Sequence, residues 1–266
     1  MHYRREIDGL RAIAVIPVIF FHAGFSSFGG GFFGVDIFFV ISGYLITHII
    51  LANLATEQFS IIDFYGRRAR RILPALFLIL FTSTLFAYAW LLPSDLRNFS
   101  DSILAVIGFY SNFFFWKNTG YFTTQAEMVP LLHTWSLAVE EQFYLFFPFL
   151  LKFCWQFARS RLLVIIFSLT LLSFFLAQWG ATHKPEAAFY LLPGRCWELT
   201  LGALLTIIER QKPMPIDTPP RTQILSLLGL IFILASVILY NANSPPGIAI
   251  LPPIVGTGLI IHYASS

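Results

Sequence analysis

Ile72-Leu73-Pro74-Ala75-Leu76-Phe77-Leu78-Ile79-Leu80-Phe81-Thr82-Ser83-Thr84-Leu85-Phe86-Ala87-Tyr88-Ala89-Trp90-Leu91-Leu92 carries no charged side chain. Wound as a helix, a run of this length rises about 30 Å, which matches the hydrocarbon thickness of a bilayer. Comparable apolar runs lie at 10–27, 32–53, 99–116, 135–152, 162–180, 194–208, 223–240 and 247–263. The breaks between them carry turn chemistry: Ser26 to Gly31, Pro93-Ser94-Asp95, Pro213 to Pro220, and Asn241 to Gly247. The 194–208 run is short and needs its neighbours to complete a crossing. Across all 266 residues the chain is 57% hydrophobic and 12% charged, whereas soluble domains are about 25% charged. This composition excludes a disordered chain, a nucleic-acid-binding domain and an ordinary soluble enzyme. The expected fold is all-α, a polytopic transmembrane helix bundle.

Arg4 and Arg5 before the first run resemble the start of a signal peptide, but no small-residue cleavage site follows and further spans come at once. Cys154 and Cys196 lie far apart in apolar segments and are read as packing residues, with no disulfide framework or metal spacing. The run 99–116 is the ambiguous one, because it contains Asp101, Ser102, Ser111 and Asn112. Cytoplasmic loops of membrane proteins concentrate Lys and Arg. If every run crosses from a cytoplasmic N-terminus, 10 of the 17 Lys and Arg fall inside. If 99–116 does not cross, only Arg97, Lys117, Lys184 and Arg195 remain outside and 13 fall inside. The stronger asymmetry predicts eight crossings plus one re-entrant or interfacial segment, with the N-terminus cytoplasmic.

Ionisable groups within spans are expensive and are functional candidates by default. Arg11 and His22 are 11 residues apart, close to three helical turns, so they share one face about 16 Å apart along the axis. The competing structural reading is a snorkelling arginine and a histidine bonded to neighbouring backbone. Asp36, at the start of the second span, is expected at the depth of His22, where a carboxylate orients an imidazole and stabilises its cation. The alternative is charge complementarity at a helix N-terminus. Ser42-Gly43-Tyr44 reads as a site of close helix approach. Arg67-Arg68-Ala69-Arg70-Arg71 reads either as a topology anchor among lipid headgroups or as a phosphate cradle, in which Arg68 and Arg71 stand one turn apart and act with Arg11. In the run His133 to Tyr144, Ser136 and Glu140 share a face, and one of Glu140 and Glu141 is open to pairing with an arginine. Arg195 and Glu198 have the spacing to pair with each other.

These residues resemble the acyltransferase 3 family of membrane acyltransferases. The resemblance is carried by Ile7 to Val15 followed by His22, by Gly34 to Ile46, by Phe64 to Pro74, by His133 to Tyr144 and by Leu192 to Glu198, in family order. Arg11 and His22 fall on the family's Arg-x10-His motif, Arg68 and Arg71 on its Arg-x-x-Arg motif, and Glu140 on its block glutamate. The resemblance implies one acyltransferase 3 membrane domain over 1–266, in the bacterial polysaccharide- and O-antigen-acetylating branch. An extracytoplasmic SGNH-type domain often follows in that branch. The family domain usually has ten crossings, so the domain is expected to be incomplete, lacking the last two crossings and their Ser-Tyr-x-x-Tyr-Leu-x-His segment.

The implied activity is O-acyl transfer, usually of acetyl, from cytoplasmic acetyl-CoA to a carbohydrate hydroxyl at the outer face of the bacterial inner membrane, lipopolysaccharide O-antigen among the acceptors. Acetyl-CoA is a substrate, and no permanently bound cofactor, metal or nucleic-acid partner is expected; membrane lipid surrounds the chain. The implied roles are His22 as general base or acyl relay, Asp36 as its orienter, Glu140 at the acceptor, and Arg11, Arg68 and Arg71 on the CoA phosphates. The rival reading is a secondary transporter or flippase using buried His, Asp and Glu as a proton relay, which predicts two related halves that the sequence does not display.

Overall fold

The computed structural model describes residues 4–118, 129–211, 220–240 and 247–264. Among these residues all regular structure is helical: α1 (Arg5–His22), α2 (Gly34–Ala55), α3 (Ile61–Trp90), α4 (Pro93–Ile107), α5 (Ser111–Asn118), α6 (Thr134–Phe157), α7 (Leu162–His183), α8 (Pro185–Tyr190), α9 (Leu192–Gln211), α10 (Pro220–Leu239) and α11 (Leu251–Tyr263). Five segments among the described residues are long and apolar enough to cross a bilayer: Gly31–Ala55, Ile61–Trp90, Arg159–His183, Pro185–Gln211 and Pro220–Leu239. The architecture is an all-α polytopic membrane bundle. The chain divides into two compact units, Met1–Ile49 with Cys154–Ser266, and Ile50–Phe153.

Local chemistry sets the helix ends. Ser60 caps α3 by accepting a hydrogen bond from the Asp63 amide at 3.2 Å, satisfying one of the amides that a helix start leaves free. α3 therefore begins before the arginine cluster, and Arg67 to Arg71 sit inside a 30-residue helix and do not precede it. Pro93 and Pro185 begin α4 and α8, where a missing N–H costs nothing.

The run 99–116 is not one helix. α4 stops at Gly108, Phe109 takes a left-handed φ of 52°, and α5 restarts at Ser111. The Tyr110 amide closes back on the Ala105 carbonyl at 2.9 Å, as at other left-handed helix ends. The 15 residues of α4 rise about 22 Å, short of the roughly 30 Å hydrocarbon core.

In the first unit, α1 buries Ile7, Leu10 and Ala14, which are three or four residues apart and form one stripe. They meet Ile37, Val40, Ile41 and Tyr44 of α2, with Trp197 of α9 and Ile254, Ile260 and Ile261 of α11 in the same core. Lipid tails are as apolar as leucine, so helices in a membrane are held by close packing and by buried polar contacts. α2 and α9 achieve both. A Cβ on Gly43 would lie 1.8 Å from the Leu199 carbonyl oxygen, and one on Gly202 2.1 Å from that of Val40. The Thr206 hydroxyl donates to the Tyr44 carbonyl at 2.9 Å along the same seam. The close helix approach expected at Ser42-Gly43-Tyr44 is thus present.

Gly43→Val sets a side chain against backbone that cannot move aside. Overpacking of this kind costs about 1–3 kcal/mol or more. The expected outcome is a lower melting temperature in detergent and reduced folded yield, read by size-exclusion chromatography of a fluorescent fusion.

Candidate active site

α1 carries Arg11 and His22 on one helix, as the spacing requires. Arg11 is half-exposed and its Nη1 donates to Asp8 Oδ1 at 3.0 Å, an i, i+3 pair of modest strength. His22 is the last residue of α1 and is exposed. Its Nδ1 lies 2.8 Å from the Val18 carbonyl one turn earlier. A carbonyl only accepts, so in this bond Nδ1 bears the proton. In the neutral ring the lone pair then sits on Nε2, which has no hydrogen-bond partner among the described residues. The backbone contact foreseen by the structural alternative is therefore real. It uses one nitrogen and leaves the other presented as a base.

Asp36 does not orient His22, which corrects the role expected from the sequence. It is buried, and its Oδ1 accepts from Arg195 Nη1 at 2.6 Å. The same nitrogen donates to Glu198 Oε1 at 3.0 Å, and Arg195 Nε donates to the Phe189 carbonyl at 2.9 Å. All three side chains are at most 4% exposed. Glu198 Oε2 has no hydrogen-bond partner among the described residues. The physical reason for the reassignment is charge: a guanidinium drawn into an apolar interior recruits the carboxylates around it. The Arg195–Glu198 pairing follows its i, i+3 spacing; the third member comes from 159 residues away. Arg195 also borders a narrow, nearly filled crevice with Gln178, Ala188, Gly194, Trp197 and Gly247.

A second polar layer joins α1, α2, α9 and α11. Arg4 donates to the Tyr44 hydroxyl, to Glu6 Oε1 and to the Ile261 carbonyl. Tyr44 donates to Glu209 Oε2 at 2.7 Å. Burial opposes the charge of Arg4, but the Glu6 hydrogen bond, with Tyr44 and Glu209, holds its pKa above the usual arginine value. Nothing in local spacing marks this network, because its members come from both ends of the chain.

In the second unit, Arg68 and Arg71 have different surroundings. Arg71 is exposed, as are Arg67 and Arg70. Arg68 donates through Nη2 to Glu141 Oε1 at 3.0 Å, with the two side chains 13% and 17% exposed. Its guanidinium lies 3.6 Å from the centroid of the Tyr144 ring. The Tyr144 hydroxyl donates to Glu140 Oε1. Glu141 is therefore the glutamate paired with arginine, and Glu140 is the one bonded by a tyrosine. Ser136, on the face of Glu140, donates to the His133 carbonyl at 3.1 Å. Nearby, Asn112 and Gln142 exchange amide hydrogen bonds, and Gln142 Nε2 donates to the Phe109 carbonyl at 3.0 Å. Among the described residues no group of three His, Cys, Asp or Glu could hold a metal ion.

Removing Arg195 and removing Asp36 should differ. Arg195→Met leaves two buried carboxylates without their cation, a class of change that costs about 3–5 kcal/mol. Asp36→Asn leaves the one-to-one Arg195–Glu198 pair. Thermal melts in detergent are expected to rank Arg195→Met well below Asp36→Asn, and Asp36→Asn closer to wild type.

The profile of the acyltransferase 3 family, described as an acyltransferase domain, matches residues 4–265. A protein of Haemophilus influenzae described as uncharacterized is 35% identical over 243 residues, which is 87% of this chain and 98% of that protein. The peptidoglycan O-acetyltransferase OatA of Listeria monocytogenes is 37% identical over 246 residues, 89% of this chain and 39% of its own length. The O-acetyltransferase OatA of Staphylococcus aureus is 34% identical over 211 residues, 77% of this chain and 35% of its own. The chain thus spans little more than a third of these two O-acetyltransferases. No solved structure matches it.

Proposed function

The chain belongs to the acyltransferase 3 family, and from that premise we propose that it is a membrane O-acetyltransferase. In this reading an acetyl group moves from cytoplasmic acetyl-CoA to a hydroxyl of a cell-envelope carbohydrate across the bacterial inner membrane. The observation that carries the proposal is the state of His22: an exposed imidazole with Nδ1 held by the Val18 carbonyl and Nε2 without a hydrogen-bond partner among the described residues. Nε2 takes the proton of the sugar hydroxyl as its oxygen attacks the thioester carbonyl. The tetrahedral adduct expels the CoA thiolate, which recovers the proton from His22. Val18 takes the place of a carboxylate in holding the tautomer.

Arg11 stands about 16 Å along α1 from His22, comparable to an extended pantetheine arm, so the donor's phosphates are assigned to its end of the helix. In the second unit phosphate contact is assigned to the exposed Arg71, and Glu140 to the acceptor or its proton. The excess of Lys and Arg on one side supports a cytoplasmic N-terminus. The names of relatives support peptidoglycan as an acceptor class beside lipopolysaccharide O-antigen.

Loss of a general base costs about 10²–10⁴-fold. His22→Ala is therefore expected to abolish measurable acetylation while inserting normally. The readout is mass spectrometry of the peptidoglycan and lipopolysaccharide fractions from cells with the wild-type or variant gene. Acetyl esters retained at wild-type level in the variant would reject the assignment. Arg71→Ala is expected to raise the KM for acetyl-CoA about tenfold, measured by CoA release from membranes.

A further inference from the structure

We infer that Arg68 is a positioning residue for Glu140 and not a ligand of the donor's phosphates. The inference rests on the acetyltransferase reading above. A phosphate is bound by a guanidinium that can present an edge of N–H groups to it. In Arg68 the Nε edge is closed: Nε is buried and has no partner among the described residues, and Nη2 is already given to Glu141 at 3.0 Å. One face of the guanidinium is covered by Tyr144, 3.6 Å from the ring centroid. The charge of Arg68 is paired with Glu141, which weakens its own attraction for a further anion. Arg67, Arg70 and Arg71 differ in kind. They are exposed, and none forms an ion pair among the described residues.

The contacts of Arg68 lead to Glu140. Tyr144 is stacked against Arg68 and donates its hydroxyl to Glu140 Oε1. Glu140 and Tyr144 are four residues apart on α6, so they meet on one face. The guanidinium restricts rotation of the ring that it covers, and the ion pair with Glu141 restrains the guanidinium. Tyr65, one turn before Arg68 on α3, fixes the same seam by donating to the Leu145 carbonyl at 2.8 Å. The chain Glu141–Arg68–Tyr144–Glu140 thus sets the direction of one carboxylate oxygen. Rigid neighbours of this kind hold reacting groups in place.

The test uses the full-length protein in membrane vesicles, with the membrane's own glycans as acceptor and CoA release as readout. For Arg68→Met and for Tyr144→Phe, kcat is expected to fall about tenfold with the KM for acetyl-CoA within twofold of wild type. Arg68→Lys, which keeps the charge opposite Glu141, is expected to recover part of the rate. Tyr144→Phe retains the ring and deletes only the hydroxyl, so it remains informative if Arg68→Met misfolds. An unchanged kcat in Tyr144→Phe overturns the inference. So does a KM rise in Arg68→Met that shrinks when 3′-dephospho-acetyl-CoA is the donor, because that is the signature of a phosphate ligand. If wild-type membranes release no CoA while binding of acetyl-CoA to the purified protein is also absent, the donor assignment itself fails, a result distinct from either variant outcome.

Discussion

Arg195 brings a guanidinium into the buried interior, and the arrangement of the first unit follows from that. A buried charge must be matched by opposite charge and by hydrogen bonds. Arg195 is matched by Asp36 from α2, by Glu198 from its own helix and by the Phe189 carbonyl. The match is possible only because α2 and α9 touch backbone to backbone at Gly43 and Gly202. The small residues set the distance, and the ion triad sets which turns face each other. Ion pairs in apolar surroundings seldom add much net stability. Their effect here is on register, because sliding α2 along α9 would separate Asp36 from Arg195, its ion-pair partner among the described residues.

This constraint also frees His22 from the role of triad member. With Asp36 committed to Arg195, the imidazole takes its orienting bond from the Val18 carbonyl, inside its own helix. A backbone acceptor fixes the tautomer without adding a negative charge beside the base. That arrangement suits a group at an exposed helix end, where a carboxylate would be solvated and its field weakened. In the second unit the logic runs the other way. Glu141 neutralises Arg68, whose guanidinium packs on the Tyr144 ring, and the Tyr144 hydroxyl donates to Glu140.

The helices were largely legible in the chain. Apolar runs near the required length became α2, α3, α7, α9 and α10, because lipid demands internally bonded backbone over a fixed thickness. The ambiguity at 99–116 was legible too, since Asp101, Ser111 and Asn112 are poor lipid-facing residues. The left-handed turn at Phe109 was not, because a phenylalanine carries no turn signal and the Gln142 amide that bonds its carbonyl lies 33 residues away. The start of α3 was placed too late, because the charged first turns hid a helix that a serine cap extends backwards.

Helical class, the shared face of Arg11 and His22, and the Arg195–Glu198 pair were determined by sequence alone. Each depends on periodicity or on neighbours within four residues, which local geometry enforces. The partner of Asp36 and the difference between Arg68 and Arg71 were decided only by the tertiary structure. The two arginines stand one turn apart with the same chemistry. Only the packing of α6 against α3 tells them apart, because burial and ion pairing belong to neighbours that a linear chain does not specify.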